Sequence, residues 1–153
     1  MSEVPTNLEA EYAVIGTLLL GVPGDWDRAR RILGPEDFYR GGFGLIFAAM
    51  ERVARVGVVP DIITVSEHLT ESQRDEIGLS TLWGLLDSPL TGQNVEAWAK
   101  IVKDKALRRR VIDAADLAIK AVLDPSVDAA SVAKAWGDHQ QLRGDDDYLT
   151  YAR

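Results

Sequence analysis

Cysteine is absent from the 153-residue chain, which removes disulfides, thiolate zinc sites, iron–sulfur clusters and cysteine nucleophiles together and suits a reducing, cytoplasmic setting. Long apolar runs are missing as well. The longest uncharged stretch, Tyr12 to Gly24, contains three Gly and one Pro, so no membrane span is expected, and Met1 to Thr6 has neither the basic nor the apolar part of a signal peptide. Histidine is scarce. His68 and His139 are the two present, and neither has a second His or a patterned carboxylate at ligand spacing, so both read as ordinary structural histidines and no metal site is expected. Phosphate loops are lacking too: Gly41, Gly42 and Gly44 lie close together, but neither GxxxxGK[ST] nor GxGxxG occurs, and these glycines read as a flexible turn between helices. The triplet Asp145 to Asp147 lacks the Gly turn and distal Glu of a calcium loop and reads as a solvated acidic run. With no catalytic constellation and no cofactor site, the chain does not read as an enzyme.

Positive charge is in deficit, with 17 basic against 24 acidic side chains and a net charge of −7. Net repulsion works against a protein whose main task is gripping nucleic-acid phosphates.

What is present is helical spacing around enough apolar residues, 46% of the chain, to build one hydrophobic core. Thr6 and Glu9 form a capping-box pattern, and Leu8, Tyr12, Ile15 and Leu19 line one face behind it, until Gly21, Pro23 and Gly24 stop the helix. Asp25 is placed to cap a short helix carrying Trp26, Ala29, Ile32 and Leu33. Leu45, Ile46, Ala49, Met50, Val53 and Val56 predict a third helix with Gly57 at its C-cap. Val58 to Ile63 reads as a loop, with Thr64 and Glu67 as a second capping box opening a helix through Leu69. Thr70 with Gln73 is a weaker third signature, and Ser80 to Leu86 predicts another short helix. No segment alternates with the period of a strand.

From Asn94, a good N-cap, to Leu123 neither Gly nor Pro occurs, so one helix of about 45 Å is predicted. Asp124 and Pro125 end it, and Asp128 to Leu142 reads as the second arm of a helical hairpin. The expected organisation is a globular helical head over residues 1–92, a helical hairpin in the same domain over 93–142, and a tail or linker start over 143–153. The fold class is therefore all-α. Basic residues occupy six of eleven positions from Lys100 to Arg110; they spread around the helix, and a solvated, salt-bridged face is preferred over contact with an acidic partner or a nucleic-acid strand. From Val111 to Leu123 ten of thirteen residues are apolar, more than one hairpin arm covers. Either the head folds onto this surface or another subunit does.

The order and spacing of several segments resemble the N-terminal domain of replicative DNA helicases of the DnaB type. They are the run from Asn7-Leu8-Glu9-Ala10-Glu11-Tyr12 to Leu19, Pro35-Glu36-Asp37-Phe38-Tyr39-Arg40, Leu45-Ile46-Phe47, the positions Gly57, Asp61, Thr64 and Leu69, and Asn94 to Arg109. Two stretches depart from it: Gly41-Gly42-Phe43-Gly44 stands where family members carry a Pro-Ala-His-like stretch, and Gly137 to Arg153 has no counterpart. The resemblance implies a helical head and hairpin forming a collar on a hexameric ring, as a dimer or a trimer of dimers, and docking a primase or helicase loader. ATP hydrolysis and most DNA contact belong in that family to a following motor domain outside these 153 residues. On this reading Trp98, Ile101, Val102, Val111, Ile112, Ala115 and Ile119 serve hairpin packing or subunit contact, and Arg108 and Arg109 make polar contacts to a partner. A free-standing mimic that loads, regulates or inhibits such a helicase is the alternative.

Overall fold

Asn7 starts the first helix: its side-chain oxygen accepts a hydrogen bond from the Ala10 N–H at 2.9 Å, so the cap lies one residue beyond the expected Thr6. In this computed structural model, which describes residues 3–87 and 94–144 and side chains as far as 138, every regular element among the described residues is helical, as the spacing predicts. Helix α1 is Leu8–Leu19 and α2 is Asp25–Arg30, followed by a 3-10 turn at Pro35–Asp37. Next come α3 (Gly41–Arg55), α4 (Ile62–Glu67), α5 (Glu71–Ile77), α6 (Leu79–Gly84) and a 3-10 turn at Leu85–Asp87, then α7 (Val95–Leu123) and α8 (Ala129–Gly144). Arg143 and Gly144, expected to open the tail, are the last residues of α8, and the rest of that tail, 145–153, lies outside the described residues.

Helix α1 is the centre of the head. From Ala10 onward all of its residues except Tyr12 are buried, whereas the expectation was one inward face; a helix enclosed on several sides has no single apolar stripe to read. Leu8, expected on that face, is exposed. Around α1 pack Trp26 of α2, Phe38, and Ile46, Phe47, Met50 and Val53 of α3, with Val65, Leu82 and Leu85 closing the core. The Phe47 ring stands 5.0 Å from Trp26 and 5.3 Å from Phe38 between centroids, distances at which tilted aromatic pairs add to simple burial.

Three further helix starts differ from the sequence expectation. Gly24, in the left-handed conformation at φ 90°, precedes α2, and Asp25 is its first helical residue, paired with Arg28 at 2.6 Å. Asp61, not Thr64, caps α4: its carboxylate accepts from the Thr64 N–H at 2.8 Å while the Thr64 hydroxyl takes the Asp61 N–H at 3.0 Å. Thr64 is thus the far member of the box rather than its first. The Thr70–Gln73 box ahead of α5 is formed as expected. The largest change is at α3, which begins at Gly41 and takes in all three glycines expected in a turn. A Cβ on Gly44 would stand 2.7 Å from the Pro35 carbonyl oxygen; only glycine lets the first turn of α3 lie directly on the 3-10 turn.

Two buried carboxylates hold that junction. Glu11 of α1, 1% exposed, accepts from the backbone N–H groups of Tyr39 at 2.8 Å and Arg40 at 3.2 Å, the two residues ahead of α3. Asp37, fully buried, accepts from the Gly34 N–H at 2.8 Å and pairs with Lys103 of α7 at 3.1 Å. Helix α7 in turn sends Val95, Ala99, Val102 and Ala106 into the head, a spacing of four, three and four that keeps one face inward. By its contacts the chain divides into two compact units, one ending at Ala106 and one beginning at Leu107.

Replacing Glu11 with Ala removes two charge-assisted hydrogen bonds and a buried side chain, and is expected to lower unfolding free energy by about 3 kcal/mol. The same change at exposed Glu9 should cost less than about 0.5 kcal/mol. Urea unfolding of both variants followed by circular dichroism checks the difference.

Candidate assembly surface

Of the residues expected to make subunit contact, Val102 is 1% exposed and belongs to the head core. It belongs to the inward stripe of Val95, Ala99, Val102 and Ala106 on α7. Trp98 is half-buried against the same core, and Ile101 lies at its edge, partly exposed. Beyond Ala106 the pattern changes. Val111, Ile112 and Ile119 are each at least half exposed, Ala115 is half-buried, and no described residue from Leu107 onward is buried. Leu117, Val122 and Leu123, which were not singled out, are exposed in the same way. Their signal was in the sequence, in the ten-of-thirteen apolar stretch to which they belong.

Within this second unit, α7 and α8 are joined by residues 124–128 and together wall two hollows of about 350 and 440 Å³. Ala118 of α7 and Val132 and Trp136 of α8 face both; Ala115, Ile119 and Val122 line one, and Leu117 and Ala121 the other. Small side chains at 114, 115, 118 and 121 leave the space, and the walls are almost wholly hydrocarbon. Such a surface offers no chemistry to a polar ligand and fits another apolar helix.

The turn between the arms is built from two aspartates. Asp124 accepts from the Ser126 hydroxyl at 2.7 Å and its N–H at 2.9 Å. Asp128 opens α8 by accepting from the Ser131 hydroxyl at 2.8 Å and from the N–H groups of Ala130 and Ser131, each at 3.3 Å. The serine hydroxyls first, and the backbone donors second, hold both carboxyls below their ordinary value.

The basic stretch is partly occupied. Lys100 pairs with Glu96 at 3.1 Å and Lys103 with Asp37. Arg108 is exposed and Arg109 half-buried, and both have interactions within the chain. The Lys100–Glu96 pair is of the solvated kind expected from sequence, whereas Lys103 reaches a buried carboxylate of the head. His68 is exposed, with Nδ1 2.8 Å from the Thr64 carbonyl oxygen. Among the described residues no group of three or more His, Asp or Glu could hold a metal ion, and no helix is long and apolar enough to cross a membrane.

Because both turn carboxyls are depressed, their contribution is fully present above the unfolded carboxylate value and is lost as pH falls through the lower folded one. In an acid titration, amide signals of Ser126, Ala130 and Ser131 should therefore move with a midpoint below pH 3.8, the ordinary midpoint for Asp. At neutral pH Asp128→Ala should speed hydrogen exchange at Ala130 and Ser131 and leave the head unchanged.

A family model described as the DnaB-like helicase N terminal domain matches residues 3–104. The replicative DNA helicase DnaB of Geobacillus stearothermophilus is 44% identical over 110 residues, 71% of this chain and 24% of that protein. The replicative DNA helicase DnaC of Bacillus subtilis is 37% identical over the same shares. This chain thus spans about a quarter of the length of the curated relatives it matches. Among solved structures, the N-terminal domain of DnaB helicase from Mycobacterium tuberculosis matches with a TM-score of 0.76 and 27% identity, over 87% of this chain and 94% of that one. The N-terminal domain of DnaB helicase from Helicobacter pylori, described together with its interactions with primase, shares the fold with a TM-score of 0.63 at 16% identity, over 74% of this chain and 89% of that one.

Proposed function

The chain belongs to the family of DnaB-like helicase N-terminal domains, and on that premise we propose that it is an assembly and docking module of a replicative DNA helicase. Its arm mates with the arm of a second copy, and the resulting ring collar, a dimer or a trimer of dimers, presents a surface to a primase or loader. ATP hydrolysis and the main grip on DNA fall to a motor domain, since these 153 residues contain no GxxxxGK[ST] to cradle a nucleotide.

The observation that carries this reading is the absence of any buried residue among the described ones beyond Ala106, in a segment whose apolar side chains outnumber its charged ones. A helix pair this apolar is unfavourable in water and gains by covering itself. A second copy supplies a matching surface through a two-fold axis, where one patch mates with itself. Closing a ring takes a second self-mating patch, which the head provides in this proposal. In this proposal Arg108 and Arg109, at the start of the arm, meet acidic groups on the docked protein.

Two substitutions test the assembly. Ile112 and Ile119 are 53% and 56% exposed, so Ile112→Asp with Ile119→Asp should leave the melting of the head unchanged while weakening self-association by on the order of 100-fold. Light scattering should then report 16.8 kDa for the variant and a higher mass for the parent chain. A parent chain that stays monomeric at high concentration, or a variant of unchanged mass, overturns the assignment. Docking is read separately: Arg108→Glu with Arg109→Glu should keep the oligomer and lose at least about tenfold in affinity for the primase of the same source.

A further inference from the structure

The C-terminal ends of α2 and α3 meet around a hollow of about 360 Å³ lined by Trp26, Arg30, Arg31, Glu51, Ala54 and Arg55. Three guanidinium groups face one carboxylate there, in a chain whose net charge is −7. Arg30 is held by Asp27 at 2.9 Å in a pair that is exposed on both sides. Arg31 and Arg55 have no carboxylate within ion-pair distance among the described residues, even though Glu51 and Arg55 stand one helical turn apart. A pair at that spacing closes readily on an isolated helix; here the two groups stay apart. Beside this hollow lies a second, of about 200 Å³, which shares Trp26, Arg30 and Ala54 and is otherwise walled by Gly24, Asp27, Gly57, Val58, Val59 and Pro60, its one carboxylate being the Asp27 that already holds Arg30. Val58 and Val59 are exposed apolar side chains. Trp26, common to both hollows, is 8% exposed, and its Nε1 is the one buried side-chain polar atom among the described residues that lacks a hydrogen-bond partner. An unsatisfied buried donor is costly enough to call for an explanation.

We propose that this double hollow is a docking site for an acidic peptide segment of a partner protein, with carboxylates on Arg31 and Arg55 and a neighbouring apolar side chain against Val58 and Val59. The site does not depend on assembly through the arm. The choice of a peptide over a free phosphate follows from the helix ends. Phosphate sites form where helix N-termini aim N–H donors and positive dipole ends at the anion. At the larger hollow, where Arg31 and Arg55 stand, α2 and α3 both present C-termini, whose dipole ends and last carbonyls are negative, and Glu51 there and Asp27 in the smaller hollow add full negative charges. A ligand made only of acceptors meets that side as repulsion. A peptide brings carboxylates for the arginines and backbone N–H donors for the carbonyls and for Glu51, so both halves of the wall are satisfied. Arginine suits the carboxylates because its planar fork pairs with them through two hydrogen bonds.

The experiment titrates the isotope-labelled chain with the peptide Glu-Asp-Leu-Asp-Glu, capped at both ends, with its Gln-Asn-Leu-Asn-Gln counterpart, and with inorganic phosphate. The acidic peptide should move the Trp26 indole N–H signal and the amides of α2 and of residues 51–59, and should bind at least tenfold more tightly than the neutral one. Its affinity should fall as salt is raised. Arg31→Glu with Arg55→Glu, both changes at exposed positions, should keep the melting temperature and weaken acidic-peptide binding at least tenfold. Absence of these shifts, equal affinity for the neutral peptide, or an unaffected charge-reversed variant overturns the proposal and leaves the arginines as counter-charges to two helix ends. Phosphate moving the same signals as strongly as the peptide overturns it in favour of an anion site.

Discussion

Glu11 is a carboxylate buried in the central helix of the head, and the junction of that helix with α3 depends on how it is satisfied. A carboxylate taken out of water must be matched by donors, and the donors available are the N–H groups of Tyr39 and Arg40. Bonding them fixes where the chain re-enters helix, so α3 begins at Gly41 and its first turn lies on the Pro35 carbonyl, where only Gly44 fits. The same short turn carries Asp37, buried in its own right and drawing Lys103 from 66 residues away. One carboxylate therefore joins α1 to the start of α3, and a second, on the short turn just before it, ties α7 to the head. Loss of either partner leaves a buried charge without compensation, which is far costlier than loss of a surface pair.

Beyond that tie the character of α7 changes. With Lys103 held toward Asp37, the inward face runs through Val95, Ala99, Val102 and Ala106, and the helix then passes out of the head's contacts while its sequence becomes more apolar. A helix normally becomes more polar where it leaves a core. The reversal is what ties the fold to the proposed function. The part of α7 up to Ala106 belongs to the stability of one chain, and the more exposed part beyond it is the surface that the proposal gives to a second copy.

The sequence carried the helices well and the tertiary contacts poorly. Helix α7, the Gly57 stop and the Thr70–Gln73 box rest on local rules, and each stands where those rules put it. Caps drifted where two candidates stood within reach: Thr6 beside Asn7, and Thr64 as either the first or the last member of a box, because both residue types accept the same N–H hydrogen bond. Glu11 looked like an ordinary first-turn acid, and nothing local distinguishes it from exposed Glu9. Its partners lie 28 and 29 residues away. In the assembly surface, Val102 and Ile112 read alike on one helix, and only the packing around Asp37 places one in the core and leaves the other exposed. The hollow at Trp26 was illegible for the same reason, since Arg31 and Arg55 belong to different helices and meet only once α2 has packed on α3.

The two proposed surfaces answer to opposite physics. Each copy adds a net charge of −7, so a ring accumulates negative charge with every subunit, and mutual repulsion grows while the apolar gain per contact stays fixed. The arm's wide hydrocarbon surface supplies an attraction that does not depend on charge, and screening by salt removes the repulsion without weakening it. At the head, attraction between arginines and a carboxylate-bearing segment is itself electrostatic and falls with the same screening. Raising salt should therefore strengthen association between copies while loosening the acidic segment, a pair of opposite responses that a single sticky surface cannot produce.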